Sequence, residues 1–224
     1  MFRPCPGTGS FDSISSDPAA QGTALGGASV ANGYLTLDGT NGDAQFGTHL
    51  VPTSGDFTVS MFVRPAAKQT TFVEFISQGV SGAGFYLGYN PSGNFCATDF
   101  RPTTIPVRFQ NDWVYLSLVR SGTTLQFLTI DGFGGVGALA TVAGTLGLGG
   151  NDTRLGRQFD PFTEFFQGDI DEVRIYGNAL NNAQLQALST QREASFTAPE
   201  PASFALVGAG LALVGFTARR KRRS

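Results

Sequence analysis

Asp169, Asp171 and Glu172 crowd into the segment Gly168-Asp169-Ile170-Asp171-Glu172-Val173-Arg174-Ile175-Tyr176. Alternate residues of a β-strand share a face, so Asp169 and Asp171 are expected to point the same way. Two carboxylates on one face are the minimum for cleaving a glycosidic bond, one as acid and the other as nucleophile or base. The next position of that face is Val173, and strict alternation sends Glu172 to the opposite side. The spacing suits closure of a fold better than an acid–base pair.

Other chemistries find less support. His49 is the only histidine and stands in Gly47-Thr48-His49-Leu50, so a histidine-dependent triad has no motif around it. The glycines from Gly132 to Gly137 lack the following Lys-Ser of a phosphate loop. Cys5 and Cys96 are the only cysteines, too far apart in sequence for a zinc site. In an oxidising compartment they could form one disulfide, and otherwise they are two unrelated thiols. Sugar binding asks for exposed aromatic faces beside amides and carboxylates. Phe85, Tyr86, Tyr89, Asn90 and Asn94 gather around one hairpin, and Phe159, Phe162, Phe165 and Phe166 around a late loop. With 20 Phe in the chain most rings belong to a core, and Trp113 is expected inside as well. Tyr89-Asn90 and Asp160-Pro161-Phe162 are the loop-borne candidates for ligand contact.

The elements that must hold these residues are short alternating segments divided by Gly, Asn, Asp and Pro, the signature of a sandwich or barrel. Strands are expected at Tyr34–Leu37, Phe57–Arg64, Phe72–Ser77, Phe85–Tyr89, Asn94–Thr98, Trp113–Arg120, Thr124–Ile130 and Arg154–Leu155, with a strong last one within Phe165–Tyr176. Asn181, with Gln184 three residues on, reads as a capping box opening a short helix. Residues 1–32 are expected to form an irregular arm, 33–189 the sandwich, and 190–198 a polar linker.

The C-terminus carries a different signal. Pro199-Glu200-Pro201 precedes an uncharged apolar run, Ala202 to Ala218, and then Arg219-Arg220-Lys221-Arg222-Arg223. As a helix the run would reach about 26 Å, a little short of a hydrocarbon core of about 30 Å. The basic cluster would stay cytoplasmic and leave the preceding residues outside. A permanent tail anchor is one reading of this transmembrane segment. The order of parts resembles the PEP-CTERM sorting signal of Gram-negative bacteria (motif 199–201, transmembrane helix 202–218, basic tail 219–224). That resemblance implies recognition and cutting by an exosortase, with the inner membrane as a transit stage and the cell surface or extracellular matrix as destination. Met1 to Gly7 offers neither a basic n-region nor an apolar h-region, so a start further upstream is expected.

All 17 Asp and Glu precede Ala202, against only 10 of the 15 Lys and Arg, so that part carries a net charge of −7. An acidic, Lys-poor domain excludes the clustered cations that nucleic acid demands.

The body has a resemblance of its own. Gly55 to Pro65 looks like the early strand of concanavalin A-like, laminin-G-type domains. Asp112-Trp113, Leu116 to Gly122 and Ile130-Asp131-Gly132 resemble their central hairpin, and Gly168 to Tyr176 with Ala179-Leu180 resembles their closing strand. Val114 stands where the family often has His, and Phe127-Leu128-Thr129 where Tyr-Val types are usual. The resemblance implies an all-β antiparallel sandwich and a non-enzymatic binding module for exopolysaccharide or another matrix component. A structural envelope protein without a specific ligand is the alternative. Laminarinase-type hydrolases share the sandwich but carry Glu-x-Asp-x-Glu on the strand, where this chain has Asp169, Asp171 and Val173. The resemblance also implies a calcium site where the first strand approaches the last, pairing Asp38 with Asp171, with Asp43 and Asp169 as further candidates. Carboxylates and backbone carbonyls are the donors that hard cation prefers.

Overall fold

The computed structural model describes residues 2–4, 10–13, 21–66, 69–80, 84–96, 102–106, 112–131, 136–143, 146–158 and 164–192. The chain divides into two units, Met1–Glu193 and Ala194–Ser224, and the described residues all belong to the first. Among them are sixteen strands, β1 (Phe2–Pro4), β2 (Ser10–Ser13), β3 (Gly22–Leu25), β4 (Ser29–Ala31), β5 (Tyr34–Asp38), β6 (Asp43–Phe46), β7 (Phe57–Pro65), β8 (Val73–Gly79), β9 (Phe85–Tyr89), β10 (Asn94–Cys96), β11 (Pro102–Pro106), β12 (Val114–Ser121), β13 (Thr124–Asp131), β14 (Val136–Ala143), β15 (Asn151–Leu155) and β16 (Gln167–Tyr176). One helix, α1 (Asn182–Ser189), follows them.

The strands form two antiparallel sheets. A nine-stranded sheet runs β1-β2-β3-β6-β15-β8-β9-β10-β11, and a seven-stranded sheet runs β14-β13-β12-β7-β16-β5-β4. The described parts of the N-terminal stretch are not an irregular arm: β1, β2 and β3 extend the first sheet and β4 edges the second. These strands are only three or four residues long and rich in Ser, Gly and Ala, so they carry little apolar alternation to read. Asn32 and Gly33 turn β4 into β5 with φ of +56° and +84°, the left-handed pair that a two-residue hairpin needs.

Alternation on facing strands builds the core. Val59, Met61 and Val63 of β7, Leu116 and Leu118 of β12, and Ile170 of β16 meet Phe75, Phe85 and Leu87 of the other sheet. Phenylalanine pairs span the gap, with Phe57 edge-on to Phe85 at 5.7 Å and Phe95 tilted on Phe127 at 5.3 Å. Among the described residues the Phe side chains are therefore largely core. A buried amide fastens one end of the nine-stranded sheet. Gln78 donates to the carbonyls of Val51 and Leu148 at 2.7 and 3.0 Å, and accepts from the Val51 amide and the Thr153 hydroxyl.

The outer face of the seven-stranded sheet has a second apolar patch, where α1 lies over Phe62, Tyr115, Val119, Leu128 and Ile130 through Leu185. The expected capping box is present: Asn181 Oδ1 accepts from the Gln184 amide at 3.0 Å, and Gln184 Oε1 accepts from the Asn181 amide at 2.9 Å. The linker expected from residue 190 begins later, because Gln191 and Arg192 are still fastened to the sheet.

Candidate functional site

Inward-facing Ile170 leaves Asp169 and Asp171 on the outer face of β16, as alternation predicts. Arg64 reaches Asp169 from β7 with Nε at 2.8 Å and Nη2 at 2.7 Å, both on the same oxygen. Thr36 of β5 donates to the other oxygen at 2.7 Å. Burial alone would lower the Arg64 guanidinium, but the Asp169 contacts outweigh it and raise the group above its ordinary value.

Strict alternation then fails. Between Asp171, opposite Phe62, and Arg174, opposite Ser60, β16 carries one residue more than β7. Glu172 absorbs it with φ of +50°, a β-bulge. The expectation that Glu172 points to the opposite face is therefore wrong. Its carboxylate takes Arg174 Nη2 at 2.7 Å on the outer side, while Val173 and Ile175 still pack towards the core. Asp171 meets Arg192 at 3.3 Å, and burial pushes its carboxyl up. Each acid of the segment thus has a cation: Asp169 has Arg64, Asp171 has Arg192, and Glu172 has Arg174.

Trp113 is not a core residue either. Half-buried beside this network, it takes Tyr34 edge-on at 5.6 Å, with the guanidinium carbons of Arg64 and Arg192 at 4.8 and 3.9 Å from its ring centre.

The structure does not bring the proposed calcium pair together. Asp38 sits opposite Gln167, four residues before Asp171 on the same strand, or roughly 13 Å along it. Asp38 Oδ1 instead accepts the amides of Thr40, Asn41 and Gly42 at 2.9, 3.1 and 2.8 Å. Asp43 lies in the other sheet, taking Gln45 Nε2 at 3.1 Å, and Asp169 is held by Arg64. Among the described residues there is no group of three or more His, Cys, Asp or Glu placed to hold a metal ion.

The candidate ligand residues divide. Tyr89 is fully buried, its ring tilted against Phe75 at 6.0 Å and its hydroxyl pushed up to about 12 by burial. It is a core residue, not a surface platform. Asn90 is half-buried and shapes the β9–β10 turn, its Oδ1 accepting from the Asn94 amide at 3.0 Å. Asp160 and Phe162 lie outside the described residues, but their flanks are placed. Arg157 stacks over Phe165 at 4.9 Å, and Ser77 of β8 donates to the Arg157 carbonyl at 2.8 Å. Gln69 ties both candidate regions to one end of the sandwich. It donates to the Phe165 carbonyl at 2.7 Å and accepts from the Tyr89 hydroxyl at 3.2 Å. Gln69 carries no local signal in the sequence, because its partners lie 20 and 96 residues away.

Cys96 is buried on β10, its thiol donating to the Asn94 carbonyl at 3.7 Å. Cys5 lies outside the described residues, as do Pro199, Glu200, Pro201, the 202–218 run and the basic residues 219–223. Among the described residues no helix is long and apolar enough to cross a membrane.

Two antiparallel sheets with an aromatic core between them, and a helix docked on the outer face of the seven-stranded sheet, define a lectin-type sandwich. Residues 38–186 match the family model of the concanavalin A-like lectin/glucanases superfamily, and the chain belongs to that superfamily. Residues 197–223 match the PEP-CTERM protein-sorting motif, a signal for export and cell-surface sorting that implies processing by an exosortase. No curated protein matches the sequence. Among solved structures the chain is similar to domain 4 of a GH43 extracellular arabinanase from Geobacillus stearothermophilus, in complex with arabinotriose. That likeness has 20% identity and a TM-score of 0.52, over 78% of this chain and 90% of that one. It is also similar to the binding domain of Paraclostridial Mosquitocidal Protein 1, with 13% identity and a TM-score of 0.58 over 80% of this chain and 48% of that one. Trypanosoma rangeli sialidase in complex with sialic acid gives 13% identity and a TM-score of 0.55 over 83% of this chain and 33% of that one. At these identities the likeness is one of fold. The fold is shared by lectins and by glycoside hydrolases.

Proposed function

We propose that the sandwich is a non-enzymatic carbohydrate-binding module, carried to the cell surface by its sorting signal and there engaging exopolysaccharide or a related glycan. One observation carries the reading: a superfamily sandwich matched over 38–186 runs almost directly into a sorting motif at 197–223. The arabinotriose complex of the arabinanase domain supports it, because the likeness spans 90% of that chain. The closing strand argues against hydrolysis. A retaining or inverting glycosidase needs one carboxyl to donate a proton and a second to act as base or nucleophile, and here each acid of the strand is engaged by an arginine. The glycan would meet the sandwich end that Gln69 organises, between Tyr89-Asn90 and the Arg157–Phe165 stack.

Calcium remains a proposal, one that would need carboxylates and backbone carbonyls other than an Asp38–Asp171 pair. The test is glycan-array binding with and without calcium, beside an assay for reducing ends released from β-glucans. Saccharide enrichment that Arg157→Ala and Phe165→Ala both weaken supports the reading. Enrichment for no saccharide in either condition favours a structural envelope role, and reducing-end release would overturn the non-enzymatic reading.

A further inference from the structure

Arg192 is the last described residue, and it is held by chemistry that is not peculiar to this chain's own arginine. Its guanidinium carbon lies 3.9 Å from the centre of the Trp113 ring, and its Nε is 3.3 Å from Asp171 Oδ2. A flat cation against an indole face, with a carboxylate beside it, is how proteins recognise guanidinium groups. The Asp171 side chain is only 6% exposed, so in its charged form it requires a cation there. The fit of Arg192 is imperfect: its Nε is buried without a well-aligned hydrogen bond, and the 3.3 Å contact is one of charge alone. The segment that carries Arg192 is lightly held. Beyond the helix cap at Thr190, the Gln191 carbonyl accepts one bond from Arg174 Nη2 at 2.9 Å, and the Gln191 amide donates to Leu188 at 3.0 Å. The neighbouring charges are committed elsewhere, Arg64 to Asp169 and Arg174 to Glu172.

We propose that Trp113 and Asp171 form a guanidinium-binding site that Arg192 fills in cis, and that lifting of residues 191–192 opens it to an arginine side chain of a partner. The site lies on the outer face of the seven-stranded sheet and does not depend on the carbohydrate reading. Trp113 is the only tryptophan in the chain, so its fluorescence reports on the site directly. The experiment uses the full-length protein in detergent, as wild type and as Arg192→Ala, titrated with methylguanidinium at millimolar concentrations and with methylammonium in parallel. Arg192→Ala should show a saturable change in emission, with methylguanidinium affinity about tenfold above wild type, because the cis competitor is gone. Asp171→Asn in the same background should abolish it. Arg192→Gln, which keeps a polar side chain but lacks the guanidinium, serves as the second variant should the alanine form melt early. A non-saturating response, or equal affinity in wild type and variant, would overturn the proposal. Methylammonium binding as tightly as methylguanidinium would overturn the arginine assignment.

Discussion

Arg64 places Nε and Nη2 on a single oxygen of Asp169, at 2.8 and 2.7 Å, and thereby ties β7 to β16 on the outer face of the seven-stranded sheet. The other oxygen of Asp169 is taken by Thr36 from β5, so one carboxylate joins three neighbouring strands. Arg64→Ala should cost about 2 kcal/mol, since it strands a largely buried acid whose hydrogen bonds are charge-assisted. Arg64→Lys should recover only part of this, because an ammonium lacks the planar two-nitrogen contact. Urea melts of the three proteins check it, and equal midpoints for Arg64→Ala and wild type would refute it.

Gln78 uses both ends of its amide in a fully buried setting. Gln78→Leu keeps the volume but leaves two carbonyls, one amide and the Thr153 hydroxyl short of a partner. A loss of about 2–4 kcal/mol is expected, with the segments around Val51 and Leu148 exchanging amide hydrogen faster. Undisturbed exchange there would mean that the network is ornamental.

Asp38 responds to acid in a definite direction. Its slight burial would raise the carboxyl, but the amides of Thr40, Asn41 and Gly42 together hold it below 3.8. The stabilisation is therefore present above the unfolded value and is lost as pH falls through the lower folded one. Asp38→Ala should be less stable than wild type by about 1 kcal/mol at neutral pH. The gap between the two should close as pH falls below 3.8, and a gap independent of pH would contradict the assignment.

Asp171 works with the opposite sign. Burial raises its carboxyl above 3.8, only partly offset by Arg192. The folded protein holds that proton more tightly than the unfolded chain, so its contribution falls as pH rises from 3.8 through the folded value. Asp171→Asn should flatten that part of the stability–pH curve. Thermal melts across the window measure the slope, and identical slopes in variant and wild type would count against a buried acid at this position.

The sandwich was legible because its signals are local. Phe57–Arg64, Phe85–Tyr89 and Thr124–Ile130 alternate or run apolar between turn residues, and Asn181 with Gln184 spells out a helix start; all were found within a residue or two. The sorting motif was legible because the local order of its parts defines it. What escaped depends on distant partners or on departures from regular geometry. Nothing local says that Arg64 meets Asp169 across 105 positions, or that Tyr89 turns inwards with its hydroxyl on Gln69. Trp113 was expected inside because indoles usually bury; two arginines and a tyrosine give it a half-buried place outside. The Asp38–Asp171 pairing came with the family resemblance, which carries no strand register for this chain. The register places them two rows apart on one face.

The bulge at Glu172 has a bearing on how this strand tolerates change. By storing one surplus residue in a left-handed kink, β16 keeps Ile170 and Val173 both towards the interior although three positions separate them. Phase is thus reset midway, and the halves of the strand are uncoupled in length. A single-codon deletion at this kink would restore ordinary pleating without turning greasy side chains outwards, whereas the same deletion at Ile170 would either invert one half of the strand or, with the kink lost, turn the Asp171 carboxylate inwards.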